Sequence, residues 1–194
     1  DVSGKDLYVG GVVGYAGSST LSDVKYSGNV TSTGEQVGGI AGRSYGGSLS
    51  AIDVKGGVSS DAGYIGGAVG YMSNGVTLTG ANVDAEVVSK ATRAGGVVGY
   101  ATSGNTIASA NVKGSVSGTE RIGGIAGEIG SGTLSKSVVD AEVTGTLDYV
   151  GGIVGISNVT LSDVETGGKV HGRRYVGGVA GQQSKADMTN VVNK

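Results

Sequence analysis

The chain has 194 residues, with 41 glycines and no proline, cysteine, tryptophan or phenylalanine. Its 14 basic and 16 acidic residues give a net charge of −2, which offers no electrostatic basis for binding nucleic acid. No apolar run is long enough to span a bilayer, so membrane insertion is not expected, and the absence of cysteine excludes disulfides and thiolate metal sites.

A six-residue phrase, apolar-Gly-Gly-apolar-apolar-Gly, occurs seven times and is called the hexad below. Its copies are Val9–Gly14, Val37–Gly42, Ile65–Gly70, Ala94–Gly99, Ile122–Gly127, Val150–Gly155 and Val176–Gly181. Successive Gly-Gly pairs lie 28, 28, 29, 28, 28 and 26 residues apart. Self-similarity at such a period is the signature of a stacked repeat protein.

We therefore divide the chain, as one repeat domain spanning 1–194, into units that each begin at a hexad. The units are 9–36, 37–64, 65–93, 94–121, 122–149, 150–175 and a partial unit, 176–194. Residues 1–8 match the closing part of a preceding unit. We therefore expect the chain to be a piece of a longer array of such units.

Each unit also contains a block that opens with Leu or Ile and closes nine residues later with Val. The pairs are Leu21–Val30, Leu49–Val58, Leu78–Val87, Ile107–Val116, Leu134–Val143 and Leu161–Val170, and Met188 opens a truncated seventh block. Within the block, apolar or small residues alternate with polar ones, as at Tyr26, Gly28 and Val30, which predicts a half-buried strand. The gap between hexad and block varies by a residue or two, so we expect loops there.

The hexad is interpreted as a strand that is apolar on both faces, with Val9 and Val13 on one face and Val12 on the other. Such a strand is normally covered on both sides, so we favour a position between two layers of one coil. The alternative is an exposed apolar stripe that docks a neighbour. Its members would be Val12, Ile40, Ala68, Val97, Ile125, Ile153 and Val179.

One unit cannot bury its apolar face alone, so the units must stack. The sequence predicts an all-β fold, a repeat β-solenoid like a parallel β-helix, with about seven Gly-rich units of 26–29 residues. If each unit is one coil, the coils lie about 4.8 Å apart. A row of small antiparallel sheets, one per repeat, stays open as an alternative because it would use the same core residues.

A ladder of hydroxyl side chains precedes the Leu position of each block. Its members are Thr20, Ser48, Thr77, Thr106, Thr133 and Thr160. Because the Leu faces inward, its neighbours must face outward, and a flat array of threonines is the feature of ice-binding solenoids. Threonine and serine also simply suit exposed strand positions, where stacked hydroxyls satisfy one another, and this second interpretation is favoured.

Tyrosine and arginine occupy two further columns, one just before and one just after the hexad. Tyr8, Tyr64, Tyr149 and Tyr175 share the first column with Gln36, Arg93 and Arg121, and Tyr15, Tyr71 and Tyr100 share the second. Such ladders suit stacking on sugar rings or contact with a protein, although they also cap a core at a turn. Tyr8, Tyr64, Arg93, Arg121, Tyr149 and Tyr175 are therefore the candidate ligand contacts.

No catalytic, cofactor or metal site is predicted, and the chain is not expected to be an enzyme. His171 is the only histidine, so a multi-histidine metal site is excluded. Five aspartates fall in three different columns and build no repeated calcium site, and neither His-Glu-x-x-His nor a P-loop occurs. These aspartates are Asp23, Asp53, Asp84, Asp140 and Asp163.

The stretches VGGVVGYAGSSTLSDVKYSGNV and IGGIAGEIGSGTLSKSVVDAEV resemble GLUG-motif repeats, which occur in bacterial adhesins and in immunoglobulin A1-specific metalloproteases. The resemblance covers nearly the whole chain. It implies a non-catalytic, glycine-rich segment of a secreted or cell-surface bacterial protein, for which an adhesin stalk is our leading hypothesis. An accessory domain of an immunoglobulin A1 metalloprotease is the first alternative, and an ice-binding solenoid is the second.

The expected partners are a host protein or glycan, or further copies of the chain joined through the coil ends. Open coil ends expose unpaired strand edges, which favour self-association. Nucleic acid and membrane insertion are not expected.

Overall fold

The structure is a computed structural model that describes all residues from Asp1 to Lys194, and it consists of strands, turns and bends without any helix. It accordingly contains no helix with the length and apolarity needed to cross a membrane. The strands are β1 (Val2–Gly4), β2 (Val9–Gly10), β3 (Val13–Ser32), β4 (Val37–Gly38), β5 (Ala41–Ser60), β6 (Ile65–Gly66), β7 (Val69–Ser73), β8 (Thr77–Ser89), β9 (Ala94–Gly95), β10 (Val98–Ala101), β11 (Asn105–Ala108), β12 (Asn111–Gly118), β13 (Ile122–Gly123), β14 (Ala126–Ile129), β15 (Gly132–Gly145), β16 (Asp148–Gly151), β17 (Val154–Ser157), β18 (Leu161–Thr166), β19 (Val170–His171), β20 (Arg174–Gly177), β21 (Ala180–Gln183) and β22 (Met188–Asn193).

All strand pairs are parallel, and each joins one repeat unit to the next. Val13 pairs with Ala41, Ala41 pairs with Val69, and Val69 pairs with Val98, so the register advances by one unit at each step. The chain is therefore a β-solenoid with one coil per unit, as the sequence predicts. The alternative of separate antiparallel sheets is wrong.

The coils build one large and one small sheet. The small sheet contains β2, β4, β6, β9, β13, β16 and β20, which hold the first two residues of each hexad. The large sheet holds the other 15 strands and covers two flanks of the coil. One flank follows the hexad, as in β7 and β10, and the other carries the Leu block, as in β8 and β12. In β3 and β5 a single long strand runs round both flanks.

The interior divides into a larger and a smaller apolar cluster. The larger one holds the Leu column, such as Leu78, and the fourth and fifth residues of each hexad, such as Ala68 and Val69. The smaller one pairs the first residue of each hexad with the Val that closes the Leu block, as in Ile65 and Val87. These side chains are Val, Ile, Leu, Ala and one Met, which explains how a thin core forms without Phe or Trp.

The hexad is a corner and not one straight strand, which corrects the sequence interpretation. Its second residue ends a strand and its fifth begins another, so Ile40 and Ala41, neighbours in sequence, are both fully buried in the larger cluster. The placement between layers is confirmed for the interior coils, and the exposed apolar stripe is wrong. Of the seven proposed stripe residues, only Val12 in the first coil is exposed, at 49%.

The constant spacing of nine in the Leu block has a cause that the sequence analysis missed. A period of two would place residues nine apart on opposite faces, yet Leu78 and Val87 are both buried. A residue with positive φ two positions after the Leu turns the chain and resets the alternation, as at Lys136 with φ 51°. The same corner occurs at Asp23, Ala51, Gly80, Ser109, Asp163 and Asn190.

The column of small residues inside the block is only partly inward. Ala85 and Ala141 are 5% and 4% exposed, as expected for inward positions. Gly114 in the same column is exposed and has φ 93°, because the backbone bends outward there. A Cβ on Gly114 would lie 2.3 Å from the Ala85 oxygen, so the residue must be glycine in that coil.

Candidate functional site

The two predicted tyrosine columns meet on one flank of the solenoid. The hexad corner folds so tightly that a Cβ on Gly14 would lie 2.5 Å from the Tyr8 carbonyl oxygen. This brings together the residues before and after the hexad, and the ring centroids of Tyr8 and Tyr15 are 5.8 Å apart. Two columns that are separate in sequence thereby form one surface.

We call this surface the tyrosine–arginine stripe. It consists of Tyr8, Tyr15, Arg43, Tyr45, Tyr64, Tyr71, Arg93, Tyr100, Arg121, Tyr149 and Tyr175. All residues of the column before the hexad have positive φ, between 52° and 63°. This conformation is costly for β-branched side chains, and the column contains none.

The middle of the stripe is a cluster of packed rings, in which only the Tyr64–Tyr100 pair is stacked. The ring centroids of Tyr64, Tyr71 and Tyr100 lie 5.5–6.0 Å apart. The Arg93 guanidinium lies over Tyr100 at 4.8 Å and donates through Nε to the Glu128 carboxylate at 2.7 Å. These residues are all half-buried, so this part of the stripe is mainly a packed, charge-neutral lining.

The N-terminal part is more open and is centred on Arg43. Its guanidinium carbon lies 5.1–5.9 Å from the ring centroids of four tyrosines, Tyr8, Tyr15, Tyr45 and Tyr71. Tyr15 and Tyr45 are 49% and 40% exposed. This is the place where aromatic surface and positive charge are both accessible.

The C-terminal part combines a ring stack with an ion pair. The rings of Tyr149 and Tyr175 are nearly parallel, with an interplanar angle of 4° and centroids 4.8 Å apart. Asp148, only 7% exposed, accepts hydrogen bonds from Arg174 Nη2 at 2.6 Å and from Arg173 Nε at 3.3 Å. The ion pair lies beside the stripe and ties β20 to β16, one coil earlier.

Tyr100 in the stripe and Asp148 beside it have shifted pKa values. Burial raises the pKa of Tyr100 above its ordinary value of 10, and the negative charge of Glu128 raises it further, so the phenol stays protonated at neutral pH. Hydrogen bonds from Arg174 lower the pKa of Asp148 below 3.8, which keeps this carboxylate ionised.

Sequence reasoning found both tyrosine columns and the arginines of the first, but it missed the two charged members of the second. Arg43 and Glu128 occupy the same position after the hexad as Tyr15, Tyr71 and Tyr100, and parallel pairing places them in one column. The sequence could have revealed Arg43 and Glu128 by their position, since each of them directly follows the third glycine of its hexad. Arg173 and Tyr45 had no such signal, because no arginine or tyrosine recurs at their positions, whereas the position of Asp148 is also acidic at Glu35 and Glu120.

The hydroxyl ladder lies on the other flank, in register from coil to coil. Thr20 pairs with Ser48, Ser48 with Thr77, and Thr77 with Thr106, followed by Thr133. None of its residues, including Thr160, is buried. Ser48 and Thr20 share a hydrogen bond at 3.4 Å, and the ladder has no aromatic or charged companion comparable with Arg43.

The remaining chemistry-bearing residues are dispersed. The sequence Gly42–Gly46 matches Gly-x-Ser-x-Gly, the pattern of a nucleophilic serine turn, but Ser44 is 1% exposed and lies within β5, with no helix after it. His171 is exposed in β19. No three His, Asp or Glu side chains converge on a possible metal ion.

The fold and the stripe define the class of protein: a parallel β-solenoid repeat protein with an aromatic and cationic surface along one flank. Comparison with protein-family models, with curated proteins and with solved structures gives no match.

Proposed function

We propose that this chain is a non-catalytic binding and structural module of a secreted or cell-surface bacterial protein, in which the tyrosine–arginine stripe contacts a host glycan or protein. The solenoid holds the stripe as a rigid scaffold, in the manner of an adhesin stalk. The bacterial surface location rests on the resemblance to GLUG-motif repeats.

The accessible rings around Arg43 carry the proposal. Tyr45 leaves 40% of its surface in solvent although its strand has a paired coil on each side, whereas Tyr15 (49%) and Tyr175 (57%) lie in coils that have a neighbour on one side only. Tyrosine and arginine are the side chains most enriched at binding hot spots, because they offer a large rigid area and a polar tip.

The scaffold adds to this argument because it pre-organises the side chains. Neighbouring stripe residues are fixed by parallel pairing, as between Tyr15 and Arg43 and between Arg43 and Tyr71. Rings that already pack against one another, with centroids 5.5–6.0 Å apart, lose little conformational freedom when a ligand binds. If the surface only capped the core, the Tyr45 ring would not need to project into solvent.

Arrays of glycans and of extracellular host proteins test the proposal. We expect the wild type to bind a defined subset, and we expect Tyr15→Ser combined with Tyr45→Ser to abolish that binding. The matched control is Thr77→Lys combined with Thr133→Lys, which alters exposed positions on the other flank. The proposal is wrong if no array component binds, or if the control weakens binding as much as the stripe variant.

A further inference from the structure

The five arginines of the chain differ in one respect, which is whether a carboxylate neutralises them. Arg93 and Arg121 contact Glu128 at 2.7 and 3.4 Å. Arg173 and Arg174 contact Asp148. Arg43 is the fifth, and no carboxylate lies within 4.0 Å of it.

The guanidinium of Arg43 is also short of hydrogen-bond acceptors. Its Nη1 donates to the Tyr8 hydroxyl at 3.3 Å, its only hydrogen bond, and Nε is buried without a partner. Nη2 has no partner and is not among the buried atoms, so solvent reaches it. This region of coil 2 therefore holds positive charge that the protein does not compensate.

The four surrounding rings hold this charge in place. Tyr15 and Tyr71 lie in the coils on either side of Arg43, Tyr8 lies across the corner, and Tyr45 lies two residues further along β5. A guanidinium flanked by aromatic rings keeps a planar, pre-organised donor edge that matches a carboxylate or a sulfate. An anion there would lie near two exposed rings, Tyr15 and Tyr45, whose centroids are 5.9 and 5.8 Å from the guanidinium carbon.

We propose that Arg43 binds the anionic group of an acidic polysaccharide, whose sugar ring stacks on Tyr15 or Tyr45. The proposal rests on the binding function proposed above and assigns its ligand class. A carbohydrate fits better than a peptide strand beside Arg43, because β5, which carries Arg43 and Tyr45, is paired with β3 on one side and with β7 on the other and leaves no free edge there for strand addition. The unpaired charge of Arg43 selects an acidic sugar over a neutral one.

Calorimetric titration of the intact chain with three polymers tests this assignment. The probes are polygalacturonate, which carries carboxylates, dextran sulfate, which carries sulfates, and unsubstituted dextran. We expect binding to one or both acidic polymers and none to dextran, and the polymer that binds identifies the anion. Arg43→Gln should weaken binding about tenfold or more, since it removes the positive charge and with it a charge-assisted hydrogen bond from Nη2. Arg43→Lys should recover only part of the loss, since it restores the charge without the planar fork.

Arg173→Gln is the matched control, because it removes the same charge at the far end of the chain and leaves Arg174 on Asp148. It should bind as the wild type does. Thermal unfolding of each variant checks its fold, and Tyr45→Ser provides a second test if Arg43→Gln does not fold. Equal loss in Arg173→Gln, or unchanged binding in a folded Arg43→Gln, overturns the assignment to Arg43. If the arrays reveal ligands and none is acidic, this inference fails and the binding function stands. If nothing binds, both fail.

Discussion

At the scale of single residues, the hexad glycines are required by the distance between neighbouring coils. A Cβ on Gly96 would lie 2.2 Å from the Gly124 oxygen and 2.6 Å from Val112 Cγ1. Gly96 does not have a positive φ, so the constraint is space and not backbone conformation. The second glycine of the other interior hexads meets the same kind of obstacle, as at Gly67, where the Gly96 oxygen would be 2.1 Å away.

Gly96→Ala should therefore destabilise the fold, because the coil above must shift to admit one methyl group. We expect a loss of about 1–3 kcal/mol in the free energy of unfolding, as for other overpacked cores. Gly130→Ala is the control, since the nearest atom to its Cβ would be the Ala101 oxygen at 3.7 Å. It should be neutral or stabilising by about 0.4–1 kcal/mol. Urea unfolding of both variants is the measurement, and equal stabilities would contradict this account of the hexad.

The sequence was sufficient for the columns but not for the directions of their side chains. The period and the spacing of nine identified the Leu column and the closing Val, because identical positions must stack in any repeat fold. The corner at Lys136 was not predicted, because its equivalents are Asp, Ala, Gly, Ser and Asn, and no shared chemistry marks the position. The same reason hid Arg43, since a column reveals itself by similar residues and Arg43 is followed by Tyr71 and preceded by Tyr15.

At the scale of the element, the corner after the Leu position is a left-handed turn made mostly by residues other than glycine. Lys136 has φ 51° and is exposed in β15. A β-branched residue is strained in this region, whereas glycine adopts it freely. Which residue types suit this corner is therefore decided by their backbone conformational preference and not by packing.

Lys136→Val should lower the free energy of unfolding by about 1–2 kcal/mol, the cost of left-handed backbone for an L-residue. Lys136→Gly should leave it unchanged or raise it slightly, because the strain of the native residue is relieved. Lys113→Val, at an exposed strand position without positive φ, separates the effect of the corner from that of losing a lysine. Thermal and urea unfolding give the ranking, which would be refuted if the two valine variants were equally stable.

The contact between β16 and β20 carries a pH-dependent ion pair. Hydrogen bonds from Arg174 lower the folded-state pKa of Asp148 below 3.8, its ordinary value. A carboxyl group whose pKa is lower in the folded state than in the unfolded state stabilises the fold at pH values above the unfolded-state pKa. That contribution disappears as the pH falls through the folded-state pKa. The contact between β16 and β20 should thus loosen under acid.

We expect the melting temperature of the wild type to exceed that of Asp148→Asn at pH 7 and the difference to shrink below about pH 4, where the unfolded carboxyl takes up its proton. Scanning calorimetry across this range checks the sign. Glu165→Gln is the comparison variant, as its carboxylate pairs with Lys194 on the exposed surface. A difference that grows on acidification would contradict the role of Asp148.

At the scale of the whole molecule, the coils support one another and the two ends have neighbours on one side only. Ile122 and Leu134, in the fifth coil, are fully buried, whereas Val176, Met188 and Val192 in the last coil are 41–45% exposed. The last strands β20, β21 and β22 pair only with the preceding coil. At the other end, β2 pairs only with β4. Unpaired parallel edges with apolar side chains are templates for another copy of the same coil.

The 194-residue polypeptide should therefore associate end to end, with an average mass that rises with concentration. Replacing Val176 and Val192 together by Lys should shift it towards the monomer, because charged side chains on an edge oppose further pairing. Val138→Lys provides the control, since Val138 is 41% exposed but lies on the flank of β15, away from the ends. Sedimentation velocity over a concentration series measures the effect. A wild-type monomer at every concentration would refute end-to-end association, and dissociation caused by Val138→Lys would place the contact on the flank instead.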